Sequence, residues 1–192
     1  SIGGNHLNHT ARKNVNLTYV VMDNFVYGLT KKQTSPTSPI GFKSKTDLGG
    51  SKDKPINPMK QLIAAGATFI ARASSFNSKH LLEMMNKAMD HEGFSVIECL
   101  SECVEFYKGA FDATNPRKGG AFELVPEEHD TSSELAAYQL AEAPFPGYFG
   151  VYYESSEPTK NENEAALIKA AREKTAGAED WEILQKTFDR LK

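Results

Sequence analysis

Three short apolar segments, residues 17–23, 67–71 and 94–99, alternate along the chain with stretches of helical periodicity, and nothing else in the sequence constrains the fold as much. A helix over 5–13 precedes the first segment. Asn57-Pro58 opens a helix over 59–65, with proline in the first turn where its missing N–H costs nothing, and Gly66 ends it. Ser78 is placed to cap a helix of about a dozen residues, with Leu81, Leu82, Met85 and Met89 on its buried face. Gly93 stops that helix before the third segment. Helix, strand, helix, strand, helix, strand predicts an α/β domain: a parallel sheet with helices on both faces. Ligands of such sheets gather beyond the carboxyl ends of the strands. Two such ends stand out, the one that follows 17–23 and the one at LSEC, 100–103.

The remainder is less regular. Residues 24–57 are rich in Ser, Thr, Pro, Gly and Lys, and so long a connection in a compact domain is usually functional or disordered. Beyond residue 104 the character changes. A helix is expected over 132–143, a strand over 148–154 and a solvated polar stretch over 155–164. Residues 165–191 read as helical, interrupted near Ala176-Gly177. The division that follows is a ligand-binding domain over 1–104 and an extension over 105–192 that is expected to dock on a partner.

Composition narrows the class. The 192 residues suffice for one core with a small appendage. A net charge of -3 argues against a general electrostatic grip on nucleic acid. No apolar run approaches the roughly 18 residues of a membrane helix, and no secretory leader pattern opens the chain. Cys99 and Cys103 form no disulfide framework, so a reducing cytoplasm is the expected setting.

The stretch VVMDNFVYGLTKKQTSPT, 20–37, bears on function. A core strand ends on two oxygen-bearing side chains and enters a polar loop. Asp-Asn at that place is ordinary turn chemistry. It also suits a hard cation, which takes carboxylate, amide and carbonyl oxygens and commonly bridges to phosphate. Asn24 and the Val26 carbonyl are the candidate ligands, and the loop lysines could meet an anion. His6 and His9 share a helix face, where packing or solvent contact is commoner than a metal pair. Cys99 reads as a small buried hydrophobe. The cluster Glu127, Glu128, His129 and Asp130 reads as a solvated loop.

Taken in order, IGGNHLNHTARKN, VVMDNFVYGLTKKQTSPT, GATFIARASSFNSKHL and GFSVIECLSEC closely resemble the beta subunit of 2-oxoacid:ferredoxin oxidoreductases, over about residues 2–110. The tail resembles it more weakly, through EEHD and GYFGVYYE. The resemblance implies a thiamine diphosphate-binding domain. Magnesium would take the Asn24 side-chain oxygen and the Val26 carbonyl. Leu29 would lie beside the bent cofactor, and Tyr27, Thr30 and Gln33 would line the site. Lys31 and Lys79 would line the entrance for substrate and coenzyme A. Cys103 would be the last of four cysteines holding a [4Fe-4S] cluster. The other three ligands, with the Gly-Asp-Gly loop that binds magnesium, are expected in an N-terminal part that this chain lacks. Two departures are Lys32, where the resembling proteins often carry Gly, and Glu102, where Pro is common.

The implied reaction is oxidative decarboxylation of a 2-oxoacid to acyl-CoA and CO2, with electrons passed to ferredoxin. The implied partners are an alpha subunit, ferredoxin, coenzyme A and the 2-oxoacid, with no nucleic acid and no membrane. The form YGLTKKQTSPT and the EEHD continuation favour 2-oxoglutarate, with pyruvate next. Two other readings are a non-oxidative thiamine-dependent decarboxylase or synthase, which needs no cluster thiolate, and an isolated fragment that is structural only.

Overall fold

A computed structural model describes residues 3–191. Four strands form one sheet in the order β1-β3-β2-β4, with β1 Leu17–Asp23, β2 Phe69–Ser74, β3 Phe94–Leu100 and β4 Gly150–Glu154. The first three strands run parallel, as the alternation predicts. The fourth runs antiparallel along β2, so the sheet is mixed rather than wholly parallel. β4 comes from the half of the chain beyond residue 104, which thereby completes the sheet of the first half.

Helices cover both faces. On one, α1 (Gly4–Ala11), α2 (Pro58–Ala64) and α4 (Glu134–Leu140) pack on Ile70, Phe94, Val96 and Tyr152. On the other, α3 (Ser78–Asp90) packs on Phe69, Ala71, Ala73 and Ile97. Alternate residues of one strand serve opposite faces, because side chains alternate along a strand. β2 and β3 are buried along their whole length, which explains their unbroken apolar reading. Fully burying a side chain such as Phe69 or Phe94 contributes about 1.5–3 kcal/mol before the cost of ordering it.

Local signals fix most boundaries. Asn57 accepts from the Lys60 N–H at 3.2 Å and caps α2, whose first residue is Pro58. α3 begins at Ser78, but its cap is Asn77, which accepts from the His80 N–H at 3.2 Å. Its face also differs from the expected one. His80, Met84 and Ala88 are buried, Leu81 and Met85 pack at the margin, and Leu82 and Met89 face solvent at 59% and 60% exposure. The i, i+4 row 80-84-88 meets the sheet at close range, and Thr18 on β1 donates its hydroxyl to the Ala88 carbonyl at 3.0 Å. β2 starts two residues later than expected and runs on to Ser74.

The stretch expected to be solvated polar chain, 155–164, already contains the start of α5 (Lys160–Lys174). Thr159 and Glu162 form a reciprocal capping box there. α6 (Asp180–Arg190) follows after a break at Gly177, whose φ is 86°. Neither α5 nor α6 contains a buried residue. Among the described residues no helix is long and apolar enough to cross a membrane.

Candidate functional site

The long segment 24–57 is ordered, and its hydroxyls order it. Thr34 Oγ1 and Ser44 Oγ lie 2.7 Å apart, Ser44 Oγ and Thr46 Oγ1 3.0 Å apart, and Ser38 donates to the Phe25 carbonyl at 2.6 Å. Side-chain hydroxyls here replace the strand or helix ladder that would otherwise satisfy the backbone. The segment folds back over the carboxyl end of β1. With α1 and α2 it encloses a cavity of about 860 Å³. The placement obeys the rule for open parallel sheets.

At the strand end the chain makes a tight turn. Asn24 Oδ1 accepts from the Val26 N–H at 3.1 Å, and Asp23 Oδ1 accepts from the Phe25 N–H at 3.1 Å. Phe25 occupies the left-handed region with φ 57°, uncommon for a bulky side chain. Tyr27 and Gln33 then pair as a small antiparallel bridge, N–H to carbonyl at 2.9 and 3.3 Å. Thr30 donates to Gln33 Oε1 at 2.6 Å across the same loop. Leu29 sits at its tip, 98% exposed. Lys31 and Lys32 have φ 65° and 75°, the region glycine favours. Lys32 occupies it with its ammonium 5.6 Å from the Phe42 ring.

Asn24, Val26, Tyr27, Leu29, Thr30 and Gln33 all line this cavity. Lys31 and Lys79 do not line it. Lys31 is exposed on the outside of the loop, and Lys79 is exposed on the first turn of α3. Cys103 is half-buried against the other side of the loop, where a Cβ on Gly28 would fall 3.1 Å from its Sγ. Cys99 is buried as expected, and burial followed by the nearby Glu98 charge pushes its thiol pKa up. His6 and His9 are exposed on α1. Glu127, Glu128 and Asp130 are exposed, while His129 Nε2 lies 2.8 Å from the Tyr152 carbonyl and pins the loop to β4.

The sequence reading missed a charged group on the cavity side of the sheet. Arg72 on β2 and Glu98 on β3 stand opposite each other in register and pair at 2.6 Å, both buried. Arg72 also donates to the Pro146 carbonyl at 3.1 Å. Asp23 is buried nearby at the end of β1. Its pKa is raised to about 6, by burial first and also by the Glu98 charge, against the hydrogen bond from Thr37. The signal was present as single charges inside apolar runs, ARA and IEC, but their meeting depends on strand register.

The donor set suits a hard cation. Asn24 Oδ1 accepts one hydrogen bond, and no hydrogen bond among the described residues reaches the Val26 carbonyl. Asp23 Oδ2 is buried without a hydrogen-bond partner among the described residues. These are oxygens only, the set that magnesium prefers. A mostly apolar cavity with a few convergent polar groups is the usual form of a cofactor site. The same residues do not complete an iron-sulfur centre. No group of three or more His, Cys, Asp or Glu side chains gathers among the described residues, and four thiolates are the usual requirement.

The fold is thus an α/β sheet with a mostly apolar cavity, carrying a few oxygen groups, at the carboxyl end of β1. Residues 1–99 match the family described as thiamine pyrophosphate enzyme, C-terminal TPP binding domain, and the chain belongs to that family. It is 45% identical over 125 residues to the 2-oxoglutarate oxidoreductase subunit KorB of Mycobacterium tuberculosis, covering 65% of this chain and 33% of the relative. The beta subunit of a 2-oxoacid:ferredoxin oxidoreductase from Saccharolobus solfataricus is 33% identical over 163 residues, 80% of this chain and 53% of the relative. Among solved structures, a 2-oxoglutarate:ferredoxin oxidoreductase from Magnetococcus marinus, with 2-oxoglutarate, coenzyme A and succinyl-CoA bound, superimposes with a TM-score of 0.83 at 38% identity. That match covers 96% of this chain and 62% of the other. The chain thus spans from a third to about half the length of these two curated relatives.

Proposed function

We propose that this chain is the cofactor-binding portion of the beta subunit of a 2-oxoacid:ferredoxin oxidoreductase. The enzyme converts a 2-oxoacid, 2-oxoglutarate first and pyruvate next, to acyl-CoA and CO2 and passes electrons to ferredoxin. The observation that carries the reading is the turn Asp23-Asn24-Phe25-Val26, which leaves an amide oxygen and an unclaimed carbonyl at the cavity. The family match and the beta-subunit relatives support it.

Asn24, through its side-chain oxygen, and Val26, through its carbonyl, would hold the magnesium that accompanies thiamine diphosphate. When bound, thiamine diphosphate supplies the electron sink that decarboxylation of a 2-oxoacid needs. The protein contributes position and electrostatics. Leu29 and Tyr27 would offer the cofactor apolar contacts, with Thr30 and Gln33 lining the site beside them. Leu29, exposed at the loop tip, gains a contact surface when the cofactor is seated. Lys31 and Lys79 lie outside the cavity, suited to meeting the anionic substrate and coenzyme A on approach. Cys103 would offer a single sulfur ligand to a [4Fe-4S] cluster, which usually takes four. The exposed apolar residues of α5 and α6, Leu167, Trp181, Leu184 and Phe188 among them, suit docking on the alpha subunit. The working compartment is the cytoplasm.

The test uses the oxidoreductase that contains this chain, produced anaerobically with its alpha partner. Coenzyme A-dependent reduction of a viologen dye is measured with 2-oxoglutarate and with pyruvate. Reduction by either one, lost without coenzyme A, is expected. Its absence with both, in enzyme carrying thiamine diphosphate and iron, contradicts the reading.

A further inference from the structure

The turn that presents the candidate ligands is not self-supporting. Phe25 lies in the left-handed region, which a bulky side chain adopts only where its surroundings impose it. Three side-chain contacts impose it here. Asp23 Oδ1 takes the Phe25 N–H at 3.1 Å, Ser38 Oγ donates to the Phe25 carbonyl at 2.6 Å, and the Phe25 ring packs on Phe111 with centroids 4.7 Å apart. Asp23 is in turn held by Thr37, whose hydroxyl donates to the same Oδ1 at 2.6 Å. Ser38 is held by the Ser35 N–H, which donates to its Oγ at 2.9 Å. Both peptide groups flanking Phe25 are therefore tied to segment 35–38. With Phe25 so fixed, the Val26 N–H is taken by Asn24 and the Val26 carbonyl has no partner among the described residues.

We propose that Thr37 and Ser38 are positioning residues that act through Asp23 and Phe25 to aim the Val26 carbonyl at the divalent cation. The inference rests on the cofactor reading given above. Thr37 sets the Asp23 carboxylate, Asp23 fixes one side of the Phe25 turn, and Ser38 fixes the other. The 35–38 segment works as a clamp that fixes ligand direction before the cation arrives. Preorganisation of this kind is how groups behind a metal's direct ligands tune its affinity. The Ser-Pro-Thr-Ser sequence suits the task. Pro36 restrains the backbone, and two adjacent hydroxyls reach the two sides of one peptide turn.

The experiment measures Mn2+ binding, as a spin-active substitute for magnesium, by electron paramagnetic resonance. It uses the assembled oxidoreductase with saturating thiamine diphosphate. Wild type, T37V, T37S and S38A are compared, and the melting temperature of each is recorded. T37V and S38A are expected to weaken Mn2+ binding about 10- to 100-fold, the usual effect of removing a support behind a metal ligand. T37S, which keeps the hydroxyl, is expected to bind like wild type. Wild-type Mn2+ affinity in T37V and S38A overturns the clamp. T37S as weak as T37V also overturns it, because packing of the methyl group and not the hydrogen bond would then matter. If T37V does not fold, S38A reads the other half of the clamp by the same measurement. Failure of wild type to bind Mn2+ in a thiamine diphosphate-dependent way overturns the cofactor reading itself, a result distinct from any difference among variants.

Discussion

The two faces of the sheet are built from the same three parallel strands and do different work. The α3 face is mainly apolar, with Phe69, Ala71, Ala73 and Ile97 under Met84 and Ala88. The opposite face begins as an apolar core under α1, α2 and α4, then changes toward the carboxyl ends to Arg72, Glu98 and Asp23. A single step along a strand exchanges one environment for the other. Ala71 and Ala73 flank Arg72, and Ile97 and Cys99 flank Glu98. Both faces contribute buried apolar core, the larger part of it under α1, α2 and α4. The buried charges Asp23, Arg72 and Glu98 lie toward the carboxyl ends of the strands, and burying them carries a cost.

The largest effect expected from disturbing this contrast is at the buried ion pair. Replacing Arg72 with Met leaves Glu98 buried without its partner and should destabilise the fold by about 3–5 kcal/mol. Chemical denaturation of the variant measures it, and a loss below 1 kcal/mol would mean that Glu98 finds water. Met84→Ala on the α3 face should cost about 2–5 kcal/mol through the cavity it leaves. It should leave thiamine diphosphate affinity unchanged, because Met84 lies across the sheet from the cavity; altered affinity would break the division between faces.

Asp23 gives a pH signature. Its folded-state pKa, raised to about 6 from 3.8, means that the folded chain holds a proton that the unfolded chain has already released between those values. The stabilising effect is full below the unfolded value and is lost as pH rises through the folded one. Asp23→Asn, which cannot ionise, should therefore gain stability relative to wild type by up to about 3 kcal/mol between pH 4 and pH 8 without divalent cations. Denaturation curves at the two pH values test the sign, and an unchanged difference would place Asp23 in contact with solvent. The smallest stability effect is expected at the loop tip. Leu29→Ala removes an exposed side chain and should change stability by no more than about 0.5 kcal/mol. It should nonetheless raise the thiamine diphosphate dissociation constant, measurable by calorimetry.

What the sequence made legible follows the same divide. The bounds of β1 were readable because an apolar run ends abruptly on Asp-Asn. The loop residues Asn24 to Gln33 were readable as a group because they are contiguous. The face of α3 was not, because Leu82 and Met89 are apolar by composition while the helix turns His80 and Ala88 to the sheet. The Arg72–Glu98 pair was hidden for a different reason. Its partners lie on two strands, and only the parallel register brings them face to face. The antiparallel β4 was likewise recognisable as a strand without any sign of its direction. The role of Ser38 and Thr37 at Phe25 depends on a long segment folding back, which local propensity does not encode.

The central claim is that the turn after β1 holds the magnesium of thiamine diphosphate. The most direct test is calorimetric titration of thiamine diphosphate with magnesium into the assembled oxidoreductase, comparing wild type with Asn24→Ala. Removal of the amide oxygen should weaken binding at least as much as the loss of a supporting residue, about 10- to 100-fold, with the melting temperature of the cofactor-free protein little changed. Equal affinity in the two proteins would contradict the account and move the metal site away from β1.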